Sequence, residues 1–336
     1  MPLFLQIVLF GPRAGAFFRD FALRRKRGPK GPKGRSGVHF CALRRIPWVK
    51  SAQERPGRTN ARARCEGGRA MEQKRPGVFA VIGEDARQKA AADYLGEKGF
   101  EVCGPEGLPR ADWVLLPMPL TADGAALEQL LKKARPGTAA FGGRVSDGAK
   151  AAAAAAGIEL ADYLGREELA RLNAIPTAEG CIGLILQNRR RTLWGSAVLV
   201  LGYGRCGQAL AVRLAALGAR VTVAARSPGQ RALAMSQGLA AAPMEEVDGL
   251  LESTDVAVNT VPAPVLGAQR LALLPKDALV IDLASLPGGT DFEAAKELGV
   301  RAIHALSLPA RCAPVTAGQF VAQAVLAMLR ERGEGI

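Results

Sequence analysis

Residues 197–207 read AVLVLGYGRCG. The first five, Ala197 to Leu201, have the length and character of a buried strand. Gly202, Gly204 and Gly207 follow at G-x-G-x-x-G spacing. A helical stretch then runs from Gln208 to Leu217, and Gly218 is placed to end it. Arg220 to Ala224 (RVTVA) reads as a second strand, which completes a βαβ unit of the size that binds dinucleotides. Gly202 permits the tight turn, Gly204 lets main chain approach a pyrophosphate, and Gly207 lets helix and strand pack closely. The unpaired amides at the helix start lie at the positive end of its dipole and suit phosphate oxygens. The whole turn, Gly202, Tyr203, Gly204, Arg205, Cys206 and Gly207, is the expected cofactor cradle, with Cys206 read as a small packed filler rather than a reactive thiol. The glycine spacing alone is weak. The strand before it, the helix after it and the second strand raise it above an ordinary turn that merely tolerates glycine.

The end of the second strand decides the cofactor. An NAD site usually carries Asp or Glu there for the ribose 2′-hydroxyl. This chain has Ala224-Ala225-Arg226-Ser227, with no carboxylate. Arg226 can pair with a 2′-phosphate and Ser227 can add a hydrogen bond, so NADP is expected and NAD is the alternative. A solvated loop arginine is the plainer reading of Arg226.

Outward from this unit, strands and helices alternate. Strands are expected at 78–82, 100–103, 113–117, 138–141 and 158–160, with helices between them, as a first α/β domain over 77–165. Two helices, 167–173 and 177–187, are expected on either side of Ile175-Pro176, with Thr177 as N-cap and Glu179 in the first turn. They form an inter-domain segment, 166–189. The second domain, 190–310, continues with strands 254–259, 279–283 and 301–304 and a helix at 292–298; Asp291 either caps that helix or supports the Gly288-Gly289 turn. A helical apolar stripe over Phe320, Val321, Ala324, Val325, Met328 and Leu329 predicts that the last segment, 311–336, packs back on the inter-domain region. The fold class is therefore α/β: two doubly wound parallel-sheet domains, the second a Rossmann NAD(P)-binding domain. Ligands of such sheets sit beyond the carboxyl ends of the strands. That places Thr260, Val261, Pro262, Asp282, Leu283, Ala284 and Ser285 beside the cofactor, and the turns at 83–88, 117–119 and 142–144 across the cleft.

The net charge of +14 is concentrated in one place. Residues 1–70 hold 17 Lys and Arg against three acids, while the remaining residues hold 28 of each sign. The globular part therefore offers no net electrostatic case for nucleic acid. Segment 1–76 is expected to be a disordered basic leader. It reads as a nucleic-acid or membrane-surface arm, as a targeting segment, or as sequence ahead of a start at Met71. A nucleic-acid role resting on it predicts a steep salt dependence that is lost with the leader. No stretch of 18 apolar residues suggests a membrane span. Six cysteines without C-x-x-C spacing suggest neither a metal site nor a disulfide framework, and fit a reducing cytoplasm.

GEDARQ (83–88), NAIPTAEG (173–180), GYGRCG (202–207), DLASLPGGTDF (282–292) and the LP, AP and TAGQ pieces of 308–319 occur in this order. Together they resemble the dipicolinate synthase A-subunit family of spore-forming bacteria, over about 77–330. The resemblance implies oxidation of dihydrodipicolinate to pyridine-2,6-dicarboxylate in the mother-cell cytoplasm, beside a flavoprotein-like B subunit. A homo-oligomer is left open. Two departures stand out: Leu308-Pro309-Ala310 where LPG is expected, and Ala313-Pro314-Val315-Thr316 where a lysine is expected at 315. The missing lysine removes one anion contact.

A dicarboxylate substrate calls for bidentate arginines, and Arg87 and Arg144 follow predicted strand ends. Asn173 and Thr177 are further candidates for substrate or cofactor contact. Glu179 is one candidate proton acceptor, with helix capping as its ordinary alternative; His304 is the other, with a hydrogen-bonded structural role as its alternative. Two other functions compete. A shikimate- or methylene-tetrahydrofolate-dehydrogenase-like enzyme shares the layout but typically shows a Lys–Asp pair that is not evident here. A nucleotide-binding scaffold would leave the chemistry to a partner.

Overall fold

The structure, a computed structural model, describes residues 77–120, 124–334 and 336. The expectations for segment 1–76 lie outside the described residues. Val78–Val81 (β1) is buried along its whole length, as a strand covered by helices on both faces must be. It is followed by α1 (Ala86–Glu97), β2 (Glu101–Cys103), β3 (Trp113–Leu115), α2 (Gly124–Leu131), β4 (Ala139–Gly142), α3 (Asp147–Ala155) and β5 (Glu159–Asp162). These five strands form one parallel sheet in the order β2-β1-β3-β4-β5. Phe79 pairs with Val102 on one side and Trp113 on the other, and the Phe79, Phe100 and Trp113 rings pack at centroid distances of 4.9–5.8 Å.

The helix α4 (Glu167–Asn188) leads to the second lobe. There follow β6 (Ala197–Leu201), α5 (Arg205–Ala216), β7 (Arg220–Ala224), α6 (Pro228–Ser236), β8 (Ala240–Ala242), α7 (Val247–Leu251), β9 (Val256–Asn259), α8 (Ala268–Leu271), β10 (Leu279–Asp282), α9 (Phe292–Glu297) and β11 (Arg301–His304). Its six parallel strands run β11-β10-β9-β6-β7-β8. Renumbered within the lobe and read from the other edge, this is the doubly wound order 3-2-1-4-5-6, whose switch point lies at the end of β6. The chain ends in α10 (Leu308–Cys312) and α11 (Pro314–Glu331).

Two expectations are revised. The inter-domain segment is one 22-residue helix, not two: α4 runs straight through Pro176. Proline has no N–H and disturbs the helical ladder, but here tertiary packing overrides that preference. The Thr177 hydroxyl donates to the Asn173 carbonyl at 2.7 Å, and Cys312 Sγ donates to the Pro176 carbonyl at 3.1 Å. Thr177 is thus no N-cap, and Glu179 lies in mid-helix. By length and composition α4 could cross a membrane. Here it is the helix between two lobes, packed on α5, α10 and α11.

The second revision concerns α11. It packs back as expected, but it also becomes part of the first lobe: Val321, Ala322, Val325, Leu326 and Leu329 join the core around Phe79, Leu115 and Phe141. Gly318 makes the approach to α1 possible. A Cβ there would stand 2.2 Å from the Arg87 carbonyl oxygen and 2.9 Å from Ala90 Cβ. Because the obstacle is main chain, Gly318→Val is expected to pry α11 from α1 and destabilise the protein by about 3 kcal/mol, the upper end of ordinary overpacking. The urea midpoint measures this, and a shift equivalent to under about 0.5 kcal/mol would show that α11 does not seat as described.

Candidate functional site

The glycine turn has the geometry its sequence asks for. Gly202 has φ +91°, open only to glycine at ordinary strain, and a Cβ there would meet Thr260 Oγ1 at 2.5 Å. The Thr260 hydroxyl and N–H both donate to the Leu201 carbonyl at 2.9 Å, which fixes the loop after β9 beneath the turn. A Cβ on Gly207 would lie 2.3 Å from the Gly202 carbonyl oxygen, so only glycine lets α5 approach β6. Gly204 is different: a Cβ there meets nothing within 4 Å. It caps α5 without a side-chain hydrogen bond, and the amides of the first turn, as in any α-helix, have no acceptor within the helix. Main chain at Gly204 therefore borders open space with bare amides, the arrangement that cradles a diphosphate.

This space is a cavity of about 520 Å³ at the carboxyl end of the sheet. Gly202 to Gly204 form one side, Ala225 and Arg226 a second, and Thr260, Val261 and Pro262 a third. Tyr203 contributes main chain only. Its ring is buried, its hydroxyl donates to Gln237 Oε1, and its carbonyl accepts from Gln208 Nε2. Arg205 turns outward to an ion pair with Glu167 (Nε to Oε2, 2.8 Å), whose hydrogen bond holds the Glu167 carboxyl below the ordinary glutamate range. The Cys206 thiol is pushed up by burial, which fits a packed filler. Arg226 is exposed and lines the cavity. Ser227 caps α6, its Oγ accepting from the Gln230 N–H at 3.4 Å.

Asp282 does not line this cavity, and neither do Leu283, Ala284 and Ser285; Asp282 instead holds the 260–262 loop, which does. Its carboxylate is fully buried and takes three N–H bonds: Asn259 Nδ2 and Ala284 N on Oδ1, both 2.9 Å, and Gly289 N on Oδ2, 2.8 Å. Asn259 in turn accepts from the Val261 N–H and donates to the Val261 carbonyl. One buried pair therefore fixes both 260–262 and 283–289. Leu283 donates its N–H to the Asn259 carbonyl, and the Ser285 carbonyl accepts from Gly288 N. His304 lies at the end of β11 in register with Asp282. Its Nε2 is 2.9 Å from the Ala284 carbonyl oxygen and its ring stacks on Phe292 at 5.1 Å. That is the packed arrangement of its structural reading.

On the first lobe, Arg87 is held by its own loop. Its Nε and Nη2 donate to Asp85, Nη2 also donates to the Met118 carbonyl, and the side chain is 13% exposed. Arg144 is exposed, with φ +58° and its N–H on Asp162 Oδ1. The two arginines flank one turn: Met118 accepts from Arg87 and packs where a Cβ on Gly143 would stand. Asn173 and Thr177 share a face of α4, and Asn173 Oδ1 is buried with no hydrogen-bond partner among the described residues. Glu179 faces elsewhere. It is 59% exposed, and its Oε1 is 3.9 Å from Arg213 Nε on α5.

Burial pushes the Asp85 carboxyl up, but the hydrogen bonds and charge of Arg87 outweigh it and hold the carboxyl below its ordinary value of 3.8. A depressed carboxyl stabilises the fold above its unfolded pKa, and that contribution is lost as pH falls through the lower folded value. The Arg87 strap is therefore expected to stay intact down to about pH 4 and loosen below it. Amide exchange at Arg87 that accelerates already at pH 6 contradicts this.

Comparison with known proteins agrees with the geometry. Residues 185–285 match the NAD binding domain of D-isomer specific 2-hydroxyacid dehydrogenases. The chain is 40% identical over 179 residues to the A subunit of dipicolinate synthase from Bacillus subtilis (strain 168), a stretch covering 53% of this chain and 60% of that protein, less than two thirds of its length. The crystal structure of the dipicolinate synthase A subunit from Bacillus halodurans superposes with a TM-score of 0.69 at 30% identity, covering 75% of this chain and 97% of that one. The crystal structure of the Bacillus subtilis counterpart gives 0.68 at 32%, covering 76% and 97%. A transhydrogenase from Sinorhizobium meliloti, at 21% identity and a TM-score of 0.59, shares the fold; the match covers 76% of this chain and 86% of that one.

Proposed function

The chain belongs to the dipicolinate synthase A-subunit family, and from that premise we propose that it carries out the NADP-linked oxidation of dihydrodipicolinate to dipicolinate. The observation that carries the reading is the bare Gly204 main chain at the head of α5, bordering a cavity with Arg226 on its wall. When bound, the nicotinamide supplies the hydride acceptor. The oxidation takes a hydride from one ring C–H bond and a proton from another, the proton passing to solvent water, and leaves an aromatic ring, so it runs downhill and mainly needs orientation. The Asn259–Asp282 pair supplies that on one side by fixing 260–262. On the other, Arg144 meets one substrate carboxylate, Arg87 holds the 85 and 118 loops in register, and the Asn173 side-chain amide donates to the second carboxylate. The family's flavoprotein-like B subunit belongs in the assay as a variable.

Dipicolinate formation with NADP and with NAD, with and without that second protein, tests the activity. Arg144→Ala and Asn173→Ala are each expected to raise KM for the dihydropyridine about tenfold or more, the scale of a lost charge-assisted hydrogen bond; unchanged KM in both removes this substrate pose. Arg226→Ala is expected to weaken NADP about tenfold and leave NAD within twofold, because the lost contact is to the 2′-phosphate alone. Equal loss of both cofactors, read by calorimetry, assigns Arg226 another role.

A further inference from the structure

The cavity beside the glycine turn holds a second arginine, Arg270 on α8. Each of its three guanidinium nitrogens is engaged. Nε donates to Asp248 Oδ1 at 2.6 Å, Nη1 to the Val265 carbonyl at 3.0 Å, and Nη2 to the Met244 carbonyl at 3.3 Å. The partners come from α7, from the loop before α8 and from the turn after β8, so the plane is held by three separate segments. The side chain is nonetheless 26% exposed, and it lines the cavity. Three of its five N–H donors are used by protein, and the surface it leaves accessible borders the cavity. A guanidinium face stacks on aromatic rings, and more strongly where water is partly excluded. Within the cavity, Gly202 to Gly204 suit the diphosphate and the end of β7 marks the adenosine side.

We propose that Arg270 is the stacking platform for the base of the bound dinucleotide, a subsite that takes a purine through its face rather than through its edge. The proposal rests on the dinucleotide reading of the cavity. Arg270→Lys separates the two contributions of an arginine, because lysine keeps the charge and has no flat face. It is expected to lose about tenfold in affinity for NADP, NAD and ADP-ribose alike, the upper range of a partly desolvated cation–π contact. Nicotinamide mononucleotide, which lacks the base, is expected to bind the variant as it binds the parent. In the parent protein, replacing adenine by hypoxanthine in NAD is expected to change affinity less than threefold, because stacking does not read the exocyclic amine. This second measurement stands even if the variant does not fold.

An unchanged Arg270→Lys overturns the proposal. So does a loss confined to NADP, which makes Arg270 a 2′-phosphate ligand, and so does a parallel loss for nicotinamide mononucleotide, which makes it a general brace. A fiftyfold penalty for the hypoxanthine dinucleotide overturns it in favour of edge recognition. If the parent binds none of these nucleotides, the dinucleotide reading itself falls and the stacking role falls with it.

Discussion

Gly204→Val is expected to abolish nucleotide binding while leaving the fold in place. The backbone at Gly204 is extended, with φ −76° and ψ −163°, which L-residues adopt freely, and the space beyond its Cβ position is open. Valine there costs the folded protein about 1 kcal/mol or less, the difference between glycine and an aliphatic residue at a helix N-cap. The same side chain occupies the volume a diphosphate needs and keeps it from the α5 amides. Losing two or more hydrogen bonds to a charged group, at about 1.5–3 kcal/mol each, is a loss of more than a hundredfold in affinity. The contrast is Gly207→Val, where the obstruction is the Gly202 carbonyl 2.3 Å away and the fold itself is damaged. Differential scanning with and without NADP distinguishes the two. Gly204→Val should melt near the parent temperature without nucleotide and gain nothing when nucleotide is added. Affinity within threefold of the parent would remove the diphosphate from this turn.

The largest loss of stability is expected at Asp282. Its carboxylate is the shared acceptor for Asn259, Ala284 and Gly289. Asp282→Leu leaves three donors buried and unanswered, at about 1–3 kcal/mol each, comparable to the whole stability of an ordinary domain. It is expected to fail to accumulate as soluble protein. Asp282→Asn is milder. Its amide oxygen can keep the two bonds on Oδ1, but its NH₂ then points at the Gly289 N–H, at a cost of about 2–3 kcal/mol. The guanidinium midpoint gives that value, and nucleotide affinity should fall with it because 260–262 lose their anchor. A soluble Asp282→Leu protein with the parent midpoint would show that the network contributes nothing.

Much of this architecture is written locally in the chain. The glycine turn, the strands around it, the Gly218 stop and the Asp291 cap all follow from short-range patterns, and the structure has them where expected. Other features depend on contacts between residues distant in sequence. Pro176 looks like a helix break until the packing of α10 on α4 is known. The strand Ala240–Ala242 carries only alanines, too bland to read, yet it forms the edge of the second sheet. Asp282 ends a strand, which by itself points to a place beside the cofactor; its actual partners lie up to 23 residues away. Glu179 and Asn173 are neighbours in one motif but face different elements, since six residues along a helix lead to another side. Arg270 carries no local signature, and only the three segments converging on it mark it out.

The contribution of α11 to the first lobe has a consequence for how the molecule is made. Chains emerge from the ribosome N-terminus first, and domains fold as units. The first lobe begins at β1, yet Val321, Val325 and Leu329 of its interior are translated after the entire second lobe. Nascent β1 to β5 must therefore wait, with apolar surface unfilled, while the later-born lobe can close on itself. A chain stalled before residue 314 should carry a protease-sensitive front half and a protease-resistant back half, the reverse of their order of birth.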